Sequence, residues 1–155
     1  MFRRVQRNAS DESLEQKVRR DLDFLFAEYH ATITSNTMEA FRISELTLLA
    51  GNVEFKFTNN KRDADYRILV APRNADGIWE LLHVALAAAT GDDARSLVVP
   101  VHYDDEPSEL SYVGLRRVAE VLRPRFMQLD SAFKPQNYAA THSRMVQIER
   151  LIHPT

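Results

Sequence analysis

At 155 residues, with 45% hydrophobic and 27% charged content, the chain has the make-up of one globular domain that buries about 70% of its unfolded surface. A net charge of −2 is too small to imply a nucleic-acid partner, and zero cysteines exclude disulfides, thiolate metal sites and a cysteine nucleophile. No apolar run is long enough to span a membrane. The basic start, Met1-Phe2-Arg3-Arg4-Val5-Gln6-Arg7, lacks the apolar core of a secretory signal. A chain free of cysteine and of such segments suits the cytoplasm.

Taken in chain order, residues 1–9 read as a frayed start to a single domain spanning 1–155. A first helix is predicted near 10–30. Ser10 or Ser13 can cap it, and Asp11, Glu12 and Glu15 in its first turn favour the helix dipole. Leu14, Val18, Leu22, Leu25, Phe26 and Tyr29 recur at three- and four-residue spacing, which makes an apolar stripe. Residues 31–34 are predicted as a short strand and 35–42 as a loop. From about 43 to 71 apolar and polar residues alternate in three runs, the mark of strands with one buried face. The predicted meander turns first at Gly51-Asn52, where a Gly-led two-residue loop favours a primed turn.

That turn puts Ala50 opposite Val53, Leu48 opposite Phe55 and Leu46 opposite Phe57. With a second tip at Lys61-Arg62, Phe57 would face Tyr66, Phe55 would face Ile68 and Val53 would face Val70. Nine side chains then share one face, whereas a one-residue slip would scatter them. The opposite face carries Thr47, Leu49, Glu54, Lys56, Arg67 and Leu69.

Beyond the meander, a helix near 77–90 is predicted, capped by Asp76 and ended by Gly91, with Ile78, Leu81, Leu82, Ala85, Leu86 and Ala89 inward. A strand near 97–102 is expected to lie at an edge, because Pro100 cannot donate to a central ladder. A helix near 108–123, capped by Ser108, should end or kink at Pro124. A last helix near 136–152 turns Tyr138, Met145, Ile148 and Ile152 to one side. The predicted class is α+β, an antiparallel meander covered on one face by helices.

The chemistry is sparse. Glu54-Phe55-Lys56 on a strand has the acid-x-lysine form of metal-dependent nucleases, in which a carboxylate binds Mg²⁺ and the lysine stabilises developing charge. That reading needs a second carboxylate, for which only Glu45 or Glu28 is available. His102-Tyr103-Asp104-Asp105-Glu106 has metal-binding residue types without metal-binding spacing, so it reads as an acidic loop. His83 sits beside the apolar stripe with no second histidine and only the single acid Glu80 one turn away, which favours a packed histidine. His30, His142 and His153 show no pairing. Trp79 reads as core or as a partner anchor. No nucleophile elbow, phosphate-cradling loop or zinc helix is present, and no catalytic residue, metal or cofactor is assigned.

Charge is distributed unevenly. Asp76, Glu80, Asp92, Asp93, Asp104, Asp105, Glu106 and Glu109 face one base, Arg95, between 76 and 109; from 110 onward bases predominate. Asp92, Asp93, Asp104, Asp105, Glu106 and Trp79 are therefore the candidate partner-binding residues, and a basic protein is the partner that such a stretch would attract. A homodimer is also open, through the mixed outer face, where Leu49 and Leu69 flank Glu54, or through the edge left by the short Val98–Val101 run.

The order of elements, with Asp23-Phe24-Leu25-Phe26-Ala27-Glu28-Tyr29 entering Ile33 and the meander, resembles bacterial immunity proteins of polymorphic toxin systems. It also resembles secretion-chaperone-like α+β domains, which are homodimers. The resemblance rests on topology and charge and transfers no residue role. It implies a cytoplasmic, non-catalytic domain that binds another protein.

Overall fold

The computed structural model describes residues 13–39, 43–60, 65–74, 78–98 and 107–152. Its order is α1 (Leu14–Asp21), α2 (Asp23–Ala27), β1 (Thr32–Glu39), β2 (Ile43–Ala50), β3 (Val53–Asn60), β4 (Asp65–Pro72), β5 (Glu80–Leu81), α3 (Leu82–Thr90), α4 (Ala94–Leu97), α5 (Pro107–Leu122), a 3₁₀ turn (Arg123–Arg125), α6 (Phe126–Ala132) and α7 (Pro135–Ile152). The strands form one antiparallel sheet in the order β1-β2-β3-β4-β5. Helices pack on one face of it, so the fold is α+β.

The first hairpin has the predicted register: Ala50 faces Val53, Leu48 faces Phe55 and Leu46 faces Phe57. Gly51 makes the turn at φ 59, in the left-handed region that glycine enters without steric cost. The second hairpin is offset by two residues from the predicted one. Phe57 faces Ile68, Phe55 faces Val70, Val53 faces Pro72, and Tyr66 lies opposite Asn59. A two-residue offset keeps every side chain on its own face, so the alternation alone could not detect it. The intended tip, Lys61-Arg62, lies outside the described residues.

Seven of the nine predicted inner-face residues, Leu46, Leu48, Ala50, Val53, Phe55, Phe57 and Val70, are buried, and Ile68 packs against them. The helical layer meets them through Phe126, whose ring lies 6.2 Å from Phe55, 4.2 Å from Tyr29 and 6.5 Å from Phe24. Leu14, Val18, Leu22 and Leu25 close one end of this core, and Leu82, Leu86, Leu122, Leu129, Phe133 and Met145 close the rest. Burying an aromatic or leucine side chain contributes about 1.5–3 kcal/mol, so this one contiguous cluster dominates the stability.

Several predicted boundaries move. The first helix is capped at Ser13 by a reciprocal box with Gln16, at 2.9 and 3.1 Å. It breaks at Leu22 and ends at Ala27, short of residue 30. The segment 35–39, expected as loop, continues β1, because its Thr- and Ser-rich sequence can occupy an edge ladder without an apolar alternation. The helix near 77–90 starts only at Leu82, because Glu80 and Leu81 pair with β4. Asp76 lies outside the described residues, and the residue at the N-cap of α3 is Leu81. Ile78, assigned inward, is 57% exposed. Ala94–Leu97 is a helical turn rather than the start of a strand near 97–102, and 99–102 lie outside the described residues. The fifth strand among the described residues is Glu80–Leu81, which the sequence had placed in a helix. α5 opens with Pro107, which suits a first helical position, so Ser108 lies inside the helix instead of capping it. Pro124 ends that helix in a 3₁₀ turn, as its missing N–H requires. The following α6 was not expected.

Candidate functional site

Two regions of the surface gather chemistry. The first is the outer face of the sheet. Antiparallel pairing turns Thr34, Glu45, Thr47, Leu49, Glu54, Lys56, Thr58, Arg67 and Leu69 away from the helices. All of them remain partly or fully exposed, with no helix laid over them among the described residues. Thr34 and Thr47 share a hydroxyl hydrogen bond of 2.8 Å across β1 and β2. Trp79, on the segment leading into β5, places its ring over this face, with the Lys56 amino group 4.5 Å from the ring centroid. Trp79 is half-buried. It therefore belongs to the outer face, not to the core stripe beside which the sequence placed it.

The second region lies at the β5 edge, where α7 crosses. Tyr138 and His142, one helical turn apart, bring their rings to 5.9 Å between centroids at a tilt of 38°. The His142 Nε2 approaches the Glu80 carboxylate at 3.8 Å. The Tyr138 hydroxyl is buried without a hydrogen-bond partner among the described residues. Burial, and secondarily the Glu80 charge, raise its pKa above 10.0, because both penalise the phenolate. Histidine, tyrosine and carboxylate thus meet here, although the sequence showed no pairing for His142. The i, i+4 spacing of Tyr138 and His142 was visible, but Glu80 lies 62 positions away and had been assigned to a helix. A phenol with a raised pKa is a poor proton donor at neutral pH.

The acidic stretch is not a free patch where it is described. Asp92 pairs with Arg125 at 2.9 Å, so part of the charge asymmetry is satisfied inside the molecule. Asp93 caps α4 by accepting from the Arg95 N–H at 3.0 Å. Asp104, Asp105 and Glu106 lie outside the described residues, as do His102, Tyr103 and His153. Among the described residues, no hydrogen bond, ion pair or ring contact joins Trp79 to Asp92 or Asp93. His83 is half-buried on the first turn of α3.

The nuclease arrangement finds no support in the sheet. Glu45 faces Thr58, four residues along β3 from Glu54, a separation of about 13 Å at strand rise. Glu28 sits at the end of α2 and pairs with Arg123 at 2.9 Å. Among the described residues no group of three histidine, aspartate or glutamate side chains could hold a metal ion. No family model, no curated protein and no solved structure matches the chain.

Proposed function

We propose that the chain is a non-catalytic domain that recognises another protein through the outer face of its sheet, in the manner of an immunity protein or a secretion chaperone. The uncovered face supports this, with Trp79 resting on Lys56 among threonines, Leu49 and Leu69. A half-buried aromatic ring framed by polar and aliphatic side chains is a usual anchor of a protein interface. The excess of acids in the sequence from 76 to 109, beyond Asp92 that Arg125 already pairs, favours a basic partner. Among the described residues no helix is long and apolar enough to cross a membrane, and we assign the domain to the cytoplasm on its lack of cysteine. Self-association is a second reading, favoured by the long edge of β1.

The test is site-specific photo-crosslinking in the native host. A photoreactive residue at Glu45, on the outer face, should yield one discrete adduct, and one at Gln147, on the exposed side of α7, should not. Trp79→Ala should remove the adduct, and the identified protein should rebind the purified domain one to one with salt-sensitive affinity. Adducts arising only from Gln147, or turnover of nucleotides, esters or nucleic acids that a single substitution abolishes, would overturn the reading.

A further inference from the structure

The two edges of the sheet differ sharply. β5 is a two-residue strand lying against α3 and α7. β1 has eight residues, and beyond it no strand pairs among the described residues. Alternate residues of β1 therefore direct backbone N–H and C=O groups outward. Proteins blunt such edges with lysine, proline or bulges. From Thr32 to Met38 there is neither a charge nor a proline. The pairing with β2 is irregular at one point, between Ile33 and Ser35. Ser35 to Glu39 then runs in unbroken register against Thr47 to Ile43.

We propose that this run is a dimerisation strand, pairing antiparallel with β1 of a second copy about a two-fold axis near Thr37. The charge pattern favours a second copy. About that axis Thr37 meets Thr37, Asn36 meets Met38, and Glu39 meets Ser35. The only charged residue of the strand thus never opposes its twin, and like charges directly opposed are what prevent a strand from pairing with itself. A foreign peptide would need side-chain pockets beside the strand for selectivity. Among the described residues, one cleft is lined by residues of α1, α2 and α5 and another by residues of α3, α6 and α7, and neither includes a residue of β1. A two-fold contact is isologous, so each copy supplies the same edge and the assembly closes. The product is a continuous ten-stranded sheet with both uncovered faces on one side.

This inference rests on the self-association reading, and the experiment separates the two. Sedimentation of the full chain at micromolar concentration should show a dimer. Because the chain contains no cysteine, single-cysteine variants give an unambiguous map. Thr37→Cys should form a disulfide-linked dimer readily, since opposed residues in an antiparallel pair stand about 4.5–5.5 Å apart between Cα atoms, within disulfide reach. Gln147→Cys should not. Thr37→Lys sets two ammonium groups against each other and should weaken association by about tenfold or more, with the circular-dichroism spectrum unchanged. A monomer throughout overturns self-association itself. A dimer that survives Thr37→Lys and shows no crosslink at Ser35→Cys, Asn36→Cys or Thr37→Cys overturns the β1 contact while leaving the dimer.

Discussion

Phe55 and Lys56 are neighbours on one strand with opposite surroundings. Phe55 is fully buried between Leu48 and Val70 and stacks on Phe57 and Phe126. Phe55→Ala should cost about 3–5 kcal/mol. Lys56→Ala should cost at most about 1 kcal/mol, the worth of an exposed cation–π contact with Trp79; paired urea titrations check the contrast. Asp130 is a quieter determinant. Its Oδ1 accepts from the Asn52 backbone N–H at 2.7 Å and from the Asn52 side chain at 3.1 Å, which pins the first hairpin to α6. A Cβ added at Gly51 would run into that carboxylate. Asp130→Ala should therefore destabilise by about 1.5–3 kcal/mol, the range for hydrogen bonds to a charged group, and Gly51→Ala should also destabilise. Tyr138 behaves in the opposite way. Its hydroxyl is buried and unpaired among the described residues, so Tyr138→Phe should be neutral or stabilising at pH 7. Because the folded pKa lies above the unfolded value of 10.0, the folded state holds the proton more tightly. Stability is intact below that value and is lost as pH rises through the folded pKa. The phenylalanine variant should lose less stability in alkali, read by thermal unfolding across that window.

Between elements, contacts distant in sequence decide what periodicity leaves open. The inner face of the meander was legible because a one-residue slip would have exposed Phe55 and Phe57. The β3–β4 register was not, since a two-residue shift costs the pattern nothing. The polar half of β1 was illegible because an edge strand buries too little to need alternation. α6 was missed because Phe126, Leu129 and Phe133 span barely two turns after Pro124, too short a stripe to separate from a loop. Of the candidate site, Glu54, Lys56 and the outer face were legible, whereas the meeting of Glu80 with His142 depends on α7 crossing the sheet edge. α7 itself is tied to its neighbours through Thr141, whose hydroxyl donates to the Ala132 carbonyl at 2.8 Å, and through Arg144, which donates to the Ala88 carbonyl at 2.9 Å. Thr141→Val should cost about 1–3 kcal/mol, since the buried Ala132 carbonyl loses its side-chain donor, as measured by guanidinium unfolding.

On the scale of the whole molecule, helices seal one face of the sheet, and among the described residues none covers the other. Hydrogen exchange should reflect this division. Amides of β3, hydrogen-bonded on both sides, should open only with global unfolding, whereas the outward amides of β1 should exchange orders of magnitude faster in the monomer. If β1 pairs with itself, raising the protein concentration should slow those amides and no others in the sheet.

The sealing of the inner face has a consequence during synthesis. The strands leave the ribosome well before the helix that covers them, and Phe126 follows its stacking partner Phe55 by 71 positions. At about 5–20 residues per second, the hairpin bearing Phe55 and Phe57 stands without its lid for about 4–14 s on every nascent chain. A slowed ribosome over that interval would prolong the exposure of a pre-formed, sticky hairpin. The choice among synonymous codons between Phe55 and Phe126, which alters no contact in the folded protein, therefore bears on how much of it reaches its native state.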